Sequence, residues 1–69
     1  DLYWYFTKND VDHTGYVSRV EWATALTNVL GLHLPFLHYQ RFFTDAEKDG
    51  PFVNRINYSR FLSRFQIRG

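Results

Sequence analysis

The chain of 69 residues has no cysteine. That absence excludes disulfides, thiolate nucleophiles and sulfur-ligated metals, and it is compatible with a reducing compartment. Charge of either sign is in short excess: eight Lys and Arg stand against seven Asp and Glu, for a formal net charge of +1. A balance this near neutral provides no electrostatic footprint for nucleic acid or for an anionic membrane. Apolar runs are short as well. None approaches the roughly 18–20 residues needed to span a bilayer, and no signal peptide is visible. No Ser/His/Asp set and no paired carboxylates occur outside the loops, so no intrinsic enzyme activity is expected. The chain starts without Met, inside an amphipathic segment, and reads as a piece of something larger.

Aromatics, by contrast, are plentiful, with seven Phe, five Tyr and two Trp. They supply large buried areas per residue. A chain of this length still buries only about 60% of its unfolded surface, so its core is marginal without a disulfide, a metal or a partner. With disulfides excluded, an ion or a partner surface becomes the expected support. Phe36, Phe42, Phe43, Phe61 and Phe65 exceed what one small core encloses, and part of that set is expected to face a groove or partner.

The most informative stretch is Asp10-Val11-Asp12-His13-Thr14-Gly15-Tyr16-Val17-Ser18-Arg19-Val20-Glu21. Oxygen-bearing side chains fall at its positions 1, 3, 5, 9 and 12, with glycine at 6 and a β-branched residue at 8. This is the spacing of an EF-hand calcium loop. Calcium is a hard cation that takes about six to eight oxygens at roughly 2.3–2.6 Å. Asp10, Asp12 and Thr14 alternate along the turn, Tyr16 offers its main-chain carbonyl, and Ser18 reaches through a water. Glu21 returns from the next helix as a bidentate ligand. The expected cofactor is one Ca2+, held by Asp10, Asp12, Thr14, Tyr16, Ser18 and Glu21. A polar turn without metal is the bland alternative.

Helical spacing surrounds this loop. Leu2, Tyr5 and Phe6 recur at i, i+3, i+4 in an entering helix, and Trp22, Ala25, Leu26, Val29 and Leu30 form the stripe of a helix over 19–30. Gly31 is its natural stop. Pro35 opens a third helix whose apolar face uses Phe36, Leu37, Tyr39, Phe42 and Phe43. Asn57 is a good N-cap for a fourth, striped by Tyr58, Phe61, Leu62 and Phe65. The expected fold class is all-α, a paired EF-hand of four helices. Residues 1–31 form a calcium-competent hand and residues 35–66 a degenerate one, and Val17 meets Ile56 in a short β-contact between loops.

The second loop lacks ion chemistry. With Gly50 at position 6, Asp45, Glu47 and Asp49 take positions 1, 3 and 5, but Ile56 falls at position 12 and offers no oxygen. With Ile56 at position 8, Arg60 takes position 12 and the loop carries an insertion of about four residues over the usual length. Either register loses the bidentate carboxylate. His33 and His38 stand across Pro35 without a cysteine or an obvious third ligand, which argues against zinc. Arg60, Arg64 and Arg68 recur every four residues, as a solvated face or a docking stripe for an acidic surface.

Beyond the loop, Phe6 with Lys8 and Asp10, then Gly15-Tyr16-Val17-Ser18, Trp22-Ala23 and Val29-Leu30-Gly31-Leu32-His33-Leu34-Pro35-Phe36 resemble one family. It is the EF-hand region of the serine/threonine protein phosphatases with EF-hands, the retinal-degeneration-C type. The resemblance spans roughly Phe6 to Phe36, under half of the chain. It implies a calcium-responsive regulatory segment of a cytoplasmic phosphatase, with the parent phosphatase domain as partner and calmodulin as a neighbour through another part of the protein. The competing expectation is a calcium-independent scaffold whose aromatics bind an amphipathic partner helix.

Overall fold

In the computed structural model, residues 1–64 are described, and the expected roles of Phe65 and Arg68 lie outside them. Helix α1 (Leu2–Asn9) starts at Asp1, whose side chain accepts from the Trp4 N–H, and buries Leu2 and Phe6. Helix α2 (Arg19–Leu30) occupies the expected span. Gly31 closes it in the left-handed region at φ 68°, donating its N–H to the Thr27 carbonyl; glycine adopts that backbone without steric cost. Helix α3 (Phe36–Phe43) follows Pro35, and α4 (Tyr58–Arg64) follows Asn57, whose Oδ1 accepts the Arg60 N–H at 3.0 Å.

The all-α class is corrected by two strands, β1 (Tyr16–Ser18) and β2 (Arg55–Asn57), which pair antiparallel. Among the described residues the domain is therefore a mixed one, four helices with a two-stranded sheet. The physical reason is that each loop ends in extended backbone whose polar groups need partners once the residues between them are buried. Val17 lies directly opposite Ile56, and both are essentially inaccessible to solvent. Burying each contributes about 1.5–3 kcal/mol, so register and core are fixed by one pair.

The core gathers Phe6, Val17, Trp22, Leu26, Ile56 and Phe61 with their neighbours. Trp22 is fully buried, with Phe36 and Phe61 edge-on to it at centroid distances of 6.3 and 5.6 Å. The expected apolar face of α3 is only half right. Phe36 is buried and Phe43 half-buried, but Leu37, Tyr39 and Phe42 are exposed, Phe42 by 67%, while Gln40 is buried. Gln40 takes this place because its amide donates to the Thr44 carbonyl, closing the helix end from inside. Among the described residues, no helix is long and apolar enough to cross a membrane.

Candidate metal-binding loop

The first loop is organised by Asp10, which is 5% exposed. Its Oδ1 accepts the Thr14 N–H at 2.9 Å and the Thr14 hydroxyl at 3.1 Å. Its Oδ2 accepts the Gly15 N–H at 2.8 Å and the Tyr58 hydroxyl at 2.7 Å. A carboxylate offers about four acceptor directions, and here all are used. Burial by itself would raise the Asp10 pKa, but the donors from Tyr58, Gly15 and Thr14 outweigh it and lower it to about 2. Burial raises Tyr58 to about 12, helped by its hydrogen bond to Asp10 and by the Asp10 charge. Two backbone conformations permit this wrapping. Gly15 sits at φ 85° and His13 at φ 54°, the latter donating its N–H to the Asp10 carbonyl.

Five of the six expected ligands line one opening of about 150 Å³: Asp10, Asp12, Thr14, Tyr16 and Glu21, with Arg55 from β2 beside them. Ser18 is not on that surface. It caps α2 instead, its Oγ accepting the Glu21 N–H at 3.0 Å while Glu21 Oε1 accepts the Ser18 N–H at 2.7 Å. This reciprocal capping box explains Ser18 and Glu21 without any ion. Among the described residues, no group of three or more His, Cys, Asp or Glu side chains is gathered closely enough to hold a metal. Asp10, Asp12 and Glu21 share a cavity without forming such a cluster, and the histidines form none either. The donor chemistry suits a hard cation. Asp10 must release a hydrogen bond to serve one, and Glu21 must use the oxygen that does not cap.

The second loop is held by the protein's own groups. Ile56 pairs with Val17, which selects the register that puts Arg60 at its twelfth place. Arg60 lies 3.9 Å from Glu47, and Arg64 lies 3.8 Å from Asp45. Both arginines and Asp45 are solvent-exposed and Glu47 is only half-buried, so each pair contributes about 0–1 kcal/mol. Their consequence is chemical: two of the three acidic side chains that an ion would use there, Glu47 and Asp45, already face cations. The Tyr16 ring stacks on Phe52 at 4.5 Å and 5°, and its hydroxyl donates to Glu47 at 3.2 Å, tying the two loops together. A separate apolar opening of about 330 Å³ lies between α2 and α3, lined by Val20, Ala23, Leu34, Phe36 and Leu37 among others.

The sequence reading missed two things. The Ser18-x-x-Glu21 spacing was a legible capping signal. Tyr58, 48 residues from Asp10, had no local signal at all. No protein-family model, curated protein or solved structure matches this chain.

Proposed function

We propose that the loop from Asp10 to Glu21 binds one calcium ion and that the chain is a calcium-responsive regulatory module. The observation that carries this reading is the convergence of Asp10, Asp12, Thr14, Tyr16 and Glu21 on a single opening. All supply oxygen, the donor that calcium prefers. Asp10 would hold the ion at the base of the loop, with Thr14 and the Tyr16 carbonyl beside it and Glu21 arriving from α2. Three carboxylates correspond to an affinity of about 10⁻⁷–10⁻⁵ M, the sensor range. A regulatory role within a cytoplasmic serine/threonine phosphatase, near a calmodulin-binding part of the same protein, rests on the resemblance of Phe6–Phe36.

Calorimetric titration of the chain and of Glu21→Gln tests the site. Glutamine preserves the capping geometry but removes a charge and one carboxylate oxygen. The expected result is one ion per chain, with binding reduced at least tenfold in the variant. Two equivalent ions, or undiminished binding by Glu21→Gln, would refute the assignment.

One set of observations favours a second reading, a scaffold indifferent to calcium that binds a partner helix. Asp10 is saturated by protein donors, Glu21 is engaged in its cap, and the α2–α3 opening is apolar. Solution NMR with calcium and with chelator separates the two readings, because only the first requires an ion-dependent change.

A further inference from the structure

The hydroxyl of Tyr58 and the carboxylate of Asp10 meet at 2.7 Å across 48 residues, and both side chains are buried. Tyr58 belongs to α4, in the half of the chain whose own loop has Glu47 and Asp45 paired with Arg60 and Arg64. From this juxtaposition we infer that Tyr58 is a positioning residue of the first loop's calcium site, supplied by the second helix–loop–helix unit. The inference rests on the calcium reading of that loop.

The division of labour on Asp10 gives the reason. Oδ1 receives both of its hydrogen bonds from Thr14, and the Thr14 hydroxyl also lies 3.4 Å from the Tyr16 carbonyl. A hydroxyl rotates freely, so Thr14 can turn its proton away from Oδ1 and present a lone pair to an ion. Oδ2 has no such freedom. Its donors are the Gly15 main chain and a phenol on a ring stacked on Phe6, with centroids 5.5 Å apart and planes at 21°, and set edge-on to Tyr3 at 6.3 Å. Each oxygen keeps one main-chain donor, Thr14 N–H on Oδ1 and Gly15 N–H on Oδ2, so the difference lies in the hydroxyls: Thr14 can release one lone pair of Oδ1 to the cation, while the packed phenol holds Oδ2 in place. A hydrogen bond to the non-coordinating oxygen of a metal carboxylate fixes its orientation, and losing such an outer partner typically weakens metal binding about 10–100-fold.

The second half of the chain therefore contributes to the site without binding an ion. Its α4 delivers the phenol, while the Val17–Ile56 pair and the Tyr16–Phe52 stack fix where α4 begins relative to the loop.

Calcium titration by calorimetry of the full chain, Tyr58→Phe and Tyr39→Phe tests this at 10 °C. Tyr58→Phe retains the ring and its stacking and removes only the hydroxyl. Tyr39→Phe removes the same group from an exposed ring on α3, away from Asp10. The expected result is a Kd raised about tenfold or more in Tyr58→Phe and within twofold of the parent in Tyr39→Phe. An unchanged Kd in Tyr58→Phe, or an equal rise in both variants, overturns the role of Tyr58 and leaves the loop assignment standing. No binding by the parent chain overturns both. NMR of the parent chain covers the case in which a variant fails to fold. The Tyr58 ring carbon bearing the hydroxyl should shift with the same calcium midpoint as the Asp10 carboxyl carbon, and a Tyr58 signal that stays fixed while Asp10 moves would refute the inference.

Discussion

Replacing Asp10 by Asn tests the organisation of the first loop in the absence of any ion. The amide retains one acceptor and puts an NH₂ where the other oxygen was. That group then faces either Gly15 N–H and Tyr58 O–H or the two donors of Thr14. In both orientations, two hydrogen bonds to a charged and nearly buried acceptor are lost. Bonds to charged groups contribute about 1.5–3 kcal/mol each. Water entering through the adjoining opening offsets part of this, so the net loss is about 2–4 kcal/mol. The ionisation of Asp10 leads to a similar figure. Its pKa is lowered from an ordinary 3.8 to about 2, which corresponds to roughly 2 kcal/mol at about 1.36 kcal/mol per unit. In a domain this small, about 1 kcal/mol moves Tm by about 4–8 °C, so a fall of about 10–25 °C is expected. Circular dichroism melts in EDTA at pH 7 measure it. A pH series adds a second arm with a definite sign. Because the folded value lies below the unfolded one, the stabilisation is complete above about pH 4 and is lost as the pH falls through about 2. The gap between the parent and Asp10→Asn should therefore close over that window. A fall under 4 °C, or a gap that persists unchanged to pH 2, would show that the ionised carboxylate does not organise the loop.

Three further predictions concern the second half of the chain. Ile56→Asp places a charge opposite Val17 in a fully buried position, which costs heavily without a partner; calcium binding measured by calorimetry should weaken at the first loop although no ligand was touched. Asp49→Asn, on the exposed second loop, should leave Kd within twofold, and the reverse pattern would place the ion in the wrong half of the molecule. Arg55 lines the same opening as the expected ligands, so Arg55→Gln should tighten calcium binding roughly two- to threefold at low salt. A unit charge in water at 10 Å is worth about 0.4 kcal/mol per charge on the ion, reduced by screening. An affinity independent of this substitution at all salt concentrations would show that Arg55 does not sense the bound cation.

Much of the local architecture was legible because it depends on nearest neighbours. The span of α2, its stop at Gly31, the start of α3 after Pro35 and the Asn57 cap follow from periodicity and terminal chemistry within a few residues. The Val17–Ile56 pair was also legible, since two β-branched residues in equivalent places have few other ways to be buried. The class was misjudged because the contact extends beyond that pair to Tyr16–Asn57 and Ser18–Arg55, and strands of three residues leave almost no periodic signal of their own. On α3, the sequence offered five apolar candidates for one face, and packing against Trp22 admitted Phe36 and Phe43 while leaving Leu37, Tyr39 and Phe42 outside.

The candidate site divides the same way. The sequence by itself determined the spacing of oxygen donors from Asp10 to Glu21 and the glycine that lets the loop turn, because those are constraints on consecutive residues. The Ser18-x-x-Glu21 cap is equally local. Tertiary structure alone decided that Arg60 and Arg64 face Glu47 and Asp45 of the second loop, and that Tyr58 completes the hydrogen bonding of Asp10. A buried carboxylate needs every donor it can find, whichever part of the chain brings it. In this fold α4 brings one across 48 residues, a separation at which no sequence pattern operates.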